Sequence, residues 1–298
     1  LTDLEEGTHP KKLDVLIKLH HGYGLGDAVQ MSAVLRHVAK YRPNWSVDYA
    51  APDGQHQVGR GIVAGTSELG KPYPRNHYDA EVQVCLYDTW SNWHDRPNTR
   101  VSSCLHEVFG LGWDSEYGRY QVKVSRDASY AAVELVSRLT SHRKRLSDRP
   151  VAVHWRGDSS PMKKNLTVEQ AAGICDAIRK MKCEPCVLGR HIPNGHNAEV
   201  NCAVINQCSA FVGIDSGPSK CASATDTPAL VIWTGHHPAP FHDPAPNTTH
   251  LVPRGYHGLY PVCNDSGVIR WFEDHHKVRQ YEGDPVEEVK KWLMEKLK

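Results

Sequence analysis

The chain predicts an α/β protein built on parallel sheets, and three observations carry that reading. Short apolar runs alternate with amphipathic ones, polar or glycine-rich turns follow several of the apolar runs, and the alternation restarts after Ser147-Asp-Arg-Pro150. At 298 residues the chain exceeds the usual size of one domain, so two domains are expected, residues 1–148 and 149–298.

Leu13–Leu19 reads as the first strand, followed by a glycine-rich turn over residues 20–26 and an amphipathic helix from Ala28 to Ala39 with Asp27 before it. Val47–Ala51 and Glu81–Leu86 read as further strands, Ser102–Leu111 as a helix, and Ala128–Leu146 as an amphipathic helix whose basic end, Arg143-Lys-Arg145, suits a helix C-terminus. The second half gives a strand at Val151–Trp155, a helix at Thr167–Met181, a strand at Cys186–Leu188, a short helix or turn through Cys202–Cys208 and a strand at Ala210–Ile214. A tight turn, a helix and another strand ending at Trp233 complete a βαβ unit. A loop rich in His and Pro spans residues 235–246, and a helix from about Pro285 to Leu297 closes the chain.

Composition narrows the function. Hydrophobic residues make up 40% and charged residues 23%, as in ordinary soluble proteins. Lys and Arg number 35 against 34 acids, so the net charge of +1 offers no general attraction for a nucleic acid. No apolar run approaches the roughly 20 residues needed to span a bilayer, and the acidic start Leu1-Thr-Asp-Leu-Glu-Glu6 is unlike a secretory signal. Nine cysteines, an odd set scattered through strands and helices, suit reduced thiols in a cytoplasm. The sequons at Asn44, Asn165 and Asn247 carry little meaning there.

In wound parallel sheets ligands bind beyond the carboxyl ends of the strands, which singles out three loops. The first, His20 to Asp27, holds Gly22, Gly24 and Gly26 but lacks the Gly-x-Gly-x-x-Gly spacing of dinucleotide folds. Asp27 either caps the helix or serves as general base on an acceptor hydroxyl. The second, His154-Trp-Arg-Gly-Asp-Ser-Ser-Pro-Met-Lys-Lys164, offers His154, Arg156, Lys163 and Lys164 to a diphosphate. Gly189 follows the next strand on the same side. In the third, Asp215, Ser216 and Gly217 stand at a helix start, with Lys220 in the first turn, where a cation opposes the helix dipole unless an anion lies nearby.

Other clusters compete for attention. Cys183-Glu-Pro-Cys186 with Cys202 and Cys208 either forms a four-thiolate metal site or supplies small core residues. His236, His237 and His242, and the pair His275-His276, lack a His-Glu-x-x-His arrangement. Trp90, Trp93 and His94 either line a sugar-binding wall or pack in the core.

Taken together, the three loops resemble glycosyltransferase family 9, the ADP-heptose:lipopolysaccharide heptosyltransferases. Gly26-Asp-Ala-Val-Gln-Met-Ser-Ala-Val-Leu-Arg36 is similar to the family's N-terminal Gly-Asp motif, and residues 211–228 are similar to its donor-site segment. The loops at residues 154–164 and 234–240 fall in the family's order. The resemblance implies a GT-B architecture, two Rossmann-like domains facing a cleft, with the last helix packing back on the first domain. It also implies inverting transfer from a nucleotide-diphosphate sugar without a required metal or other cofactor. On that reading Asp27 is the base, Lys164 or Lys163 the diphosphate contact, and Asp215, Ser216 and Gly217 donor contacts. Lys220 stands where the family has His, which leaves the donor open, and the acceptor is a glycan, a protein or another hydroxyl-bearing molecule. His154-Trp-Arg-Gly-Asp158 also resembles the His-x-Arg-Arg-x-Asp segment of fucosyltransferases that use GDP-fucose. The remaining alternative is a non-catalytic module that binds a nucleotide-sugar.

Overall fold

The alternation of apolar runs resolves into two parallel sheets. A computed structural model describes residues 11–20, 24–85, 88–89, 100–112, 118–140, 150–157, 164–189, 197–255 and 266–297. The first sheet joins β1 (Leu13–Leu19), β2 (Trp45–Ala51), β3 (Gly65–Glu68) and β4 (Ala80–Val84) in the order β3-β2-β1-β4. The second joins β5 (Val151–His154), β6 (Pro185–Val187), β7 (Ala210–Ile214), β8 (Ala229–Ile232), β9 (Thr248–Pro253) and β10 (Lys277–Tyr281) in the order β10-β9-β8-β7-β5-β6. Every pairing is parallel, so each connection crosses over the sheet.

Both strand orders reverse once. The chain leaves β1 toward β2 and β3 and then returns to lay β4 on the other side of β1. It leaves β5 toward β6 and then returns to lay β7 on the other side of β5. The crevices beyond the carboxyl ends of β1 and β4, and of β5 and β7, are therefore the topological switch points.

Nine helices are present among the described residues: α1 (Leu25–Tyr41), α2 (Val101–Glu107), α3 (Arg126–Thr140), α4 (Val168–Lys180), α5 (Ala198–Asn206), α6 (Gly217–Ser223), α7 (Pro238–Phe241), α8 (Ser266–His275) and α9 (Val286–Lys296). Successive residues of a strand face opposite sides of its sheet. In β5, Val151 and Val153 join α4 and α9 on one face, while Ala152 joins α5 and α6 on the other; in β7, Val212 and Ile214 divide from Phe211 in the same way. The α5–α6 face continues without a break into α1 and the first sheet, where Val15, Ile17, Leu19, Ala28, Met31 and Leu35 belong to the same cluster as Phe211 and Cys221.

Sequence and structure part at several elements. The strand β3, the 3₁₀ turn Gln55–Gly59, and the run β9, α8, β10 were not anticipated. β3 is four half-buried residues with no apolar run, and β9 begins with three polar residues, Thr248, Thr249 and His250, that are nonetheless buried. Val289, Trp292 and Leu293 of α9, the last helix, pack with Ile174 and Ile178 on the second sheet. Trp90, Trp93, His94, Lys163 and the basic run Arg143-Lys-Arg145 lie outside the described residues. No helix among the described residues is long and apolar enough to cross a membrane.

Candidate functional site

The first wall of the site is the start of α1. The helix opens one turn earlier than its periodicity indicates: Gly24 is the N-cap, and Asp27 is its third residue rather than its cap. One carboxylate oxygen of Asp27, Oδ2, accepts from the Gly24 backbone N–H at 3.0 Å, and the half-buried side chain has no other partner among the described residues. That bond holds the carboxylate against the helix N-terminus and leaves its second oxygen unengaged among the described residues.

The opposite wall is the turn between β7 and α6. Ser216 caps α6 and Pro218 occupies the first turn, where its missing N–H costs nothing. The Ser216 hydroxyl shares a hydrogen bond of 2.9 Å with His154 Nδ1 at the end of β5. Asp215 and Lys164 form an ion pair of 3.3 Å, their side chains 11% and 17% exposed. Burial alone would raise the Asp215 carboxyl, but Lys164, His236 and Lys220 outweigh it and hold that carboxyl below the usual range.

The second loop is pinned at its base. Asn165 accepts from the Gly157 N–H at 2.8 Å and donates back to the Gly157 carbonyl at 3.3 Å, while Leu166 N–H donates to Trp155 O. Thr234, on the loop after β8, donates to the Lys164 carbonyl at 2.8 Å and so fixes where the lysine starts. Arg156 is exposed, without a partner among the described residues. Gly189 lies at the carboxyl end of β6 with a φ of +90° and open space where a side chain would stand. No contact draws it into the group around Asp215.

The two walls touch. A methyl group added at Gly26 would lie 3.5 Å from Lys220 Cδ and 3.6 Å from Gly217 Cα, and one added at Gly217 would lie 2.6 Å from Leu25 Cβ. Lys220, 6% exposed, crosses this junction and donates to Gln30 Oε1 at 2.9 Å. Asp27, Lys164, Asp215, Ser216, Gly217 and Lys220 are thereby gathered where the two switch points meet.

Sequence reasoning missed Gln30, Thr234 and Asn165. The signal for Gln30 was available: α1 is buried almost all round from Ala28 to Leu35, and a long polar side chain in such a stretch needs a partner.

The chain's fold matches solved glycosyltransferases. A family 9 glycosyl transferase from Veillonella parvula superposes with a TM-score of 0.62 at 14% identity, covering 88% of this chain and 97% of that one. This is the glycosyltransferase family 9 fold. The iron-containing dodecameric heptosyltransferase TibC of enterotoxigenic E. coli, solved with ADP-D-beta-D-heptose, gives 0.57 at 16% identity, covering 86% of this chain and 66% of that one. E. coli heptosyltransferase WaaC with ADP gives 0.50 at 13%, covering 88% of this chain and all of that one. No family model and no curated protein sequence matches the chain.

Within this family 9 fold the cysteines of the sequence pattern separate. Cys183 packs with α4 and α9 on one face of the second sheet, whereas Cys186, Cys202 and Cys208 lie on the other. Among the described residues no three His, Cys, Asp or Glu side chains form a group that could hold a metal ion. A cavity of about 620 Å³ runs along the edge strand β10, lined by Thr249, His276, Lys277, Arg279 and Lys296.

Proposed function

We propose that the protein is an inverting glycosyltransferase that moves a sugar, heptose or a related one, from a nucleoside-diphosphate donor to an acceptor hydroxyl. The contact of α1 with α6 carries the reading, because it brings the Asp27 carboxylate to the same junction as Lys164, Asp215 and Lys220. In the reaction the acceptor oxygen attacks the anomeric carbon as the bond to the diphosphate breaks on the opposite face. Asp27 takes the acceptor proton through its unengaged oxygen. Lys164, Lys220 and the exposed Arg156 take the charge of the departing diphosphate, fixed cations serving in place of a required metal. Asp215, beside Lys164, accepts from donor hydroxyls, and His154 with Ser216 shapes the turn around them. The donor adenine and heptose of the neighbours with this fold make ADP-heptose the first candidate to assay.

The test is Asp27→Asn. An asparagine oxygen can still accept from Gly24 N–H, so the cap is kept while the base is lost. Sugar transfer should fall by about 10²–10⁴ in kcat with donor binding unchanged. Transfer at the wild-type rate, or donor binding lost along with it, would overturn the assignment. Donor binding with neither transfer nor hydrolysis in the wild type would instead mark a binding module.

A further inference from the structure

Lys220 is a buried cation with an unusual companion. Gln30 is its hydrogen-bond acceptor among the described residues, at 2.9 Å, and Gln30 is itself only 1% exposed. An ammonium can only donate, so the carboxamide must turn its oxygen toward Lys220. Its other end, Nε2, is then buried with no acceptor among the described residues. Such an unpaired donor is destabilising, a penalty that an apolar side chain at this position would avoid.

The neighbouring acids do not compensate Lys220 directly. Asp215 is engaged by Lys164 at 3.3 Å, and Asp27 is engaged by Gly24 at 3.0 Å. The ammonium is thus tied by a neutral oxygen to α1 one turn beyond Asp27. A carboxylate in place of the amide would fix the same geometry but cancel the charge.

We infer that Gln30 is a positioning residue for the donor diphosphate: it anchors the Lys220 ammonium to α1 without neutralising it, which makes the helix bearing Asp27 part of the donor site. This rests on the proposed glycosyltransferase reading.

Calorimetry with ADP, GDP and UDP, each beside its monophosphate, tests the inference on the wild type, Gln30→Glu, Lys220→Met and the double variant. Gln30→Glu should melt at or above the wild-type temperature, since it gains an ion pair. It should nonetheless weaken the tightest of the three diphosphates by about tenfold or more, with the monophosphate changed less than about twofold. In turnover the loss should appear in donor KM rather than kcat. In the Lys220→Met background the glutamate should have no further effect on the diphosphate. Gln30→Met, which removes the acceptor and adds no charge, should lower the same diphosphate-to-monophosphate preference and serves if the glutamate variant does not fold. Wild-type diphosphate affinity in both Gln30 variants, or an undiminished effect without Lys220, would overturn the inference alone. A wild type that binds none of the three diphosphates would overturn the donor reading and the inference with it.

Discussion

His242 and His250 are fully buried side by side, their ring centroids 4.7 Å apart, and neither is held as a cation. Trp233 donates its indole N–H to His250 Nδ1 at 3.0 Å, so that nitrogen carries a lone pair and the ring is neutral. Burial, then the Lys220 charge, lowers His242 to about 4; burial, then His242, His276 and His237, lowers His250 well below its usual value. The sign follows from linkage. Both histidines bind protons in the unfolded chain near pH 6.5 but not in the folded one, so their stabilisation is full above pH 6.5 and is lost as pH falls toward about 4. Urea denaturation should show lower stability at pH 5.5 than at pH 7.5, by on the order of 1 kcal/mol per such histidine. Replacing His250 by Gln should remove its share of the dependence and leave that of the other buried histidines, and an unchanged slope would mean that the ring is charged in the fold. At this scale the sequence was a partial guide. His242 stood out beside His236 and His237, yet His250 sits among polar residues that give no sign of a buried strand. Asp27 was legible as a carboxylate at a helix start, but the cap lay three residues upstream, because Gly24 offers no side chain to mark it.

Among the elements, the meeting of α1 and α6 sets the tolerance of the site. Gly217 has no room for a methyl group, which would press to 2.6 Å from Leu25 Cβ. Gly217→Ala should therefore cost about 1–3 kcal/mol of stability by overpacking. In a Leu25→Gly background, which removes the Cβ that the methyl group would meet, the same change should be nearly neutral, and a double-mutant cycle by urea denaturation checks that difference. Equal costs in both backgrounds would show that the helices do not press together there. The strands and helices that build this junction were legible because their apolar runs are uninterrupted: β1 and β7 fall on the residues their patterns indicate, and Thr167 with Gln170 caps α4 from both directions. The β9–α8–β10 run was not, since its buried face is made from Thr, His and Phe as much as from aliphatic side chains. No local pattern in one chain could show that α1 and α6, far apart in sequence, would share a surface.

For the molecule as a whole, a buried clasp joins the halves. Arg100 donates to the carbonyls of Ala239 and His242 and to Asp243 Oδ1 at 2.9 Å, and the Asp243 N–H donates to the Tyr120 hydroxyl at 2.9 Å. Arg100→Met would leave the fully buried Asp243 carboxylate without its cation and should cost about 3–5 kcal/mol. Adding Asp243→Asn should recover much of that in a thermal or urea melt, whereas a single variant as stable as the wild type would show that the clasp contributes nothing. The parallel topology and the order of the three loops were readable in the chain; this clasp was not, because an arginine and an aspartate 143 residues apart carry no shared signature. The shared cluster beneath α1 has a consequence for how the protein is made. Residues of α1 leave the ribosome about 180 residues ahead of α6, the helix that covers them. At ~5–20 residues per second, the nascent helix stays half uncovered for roughly 10 to 35 seconds, long enough for a chaperone to hold it until its cover is synthesised.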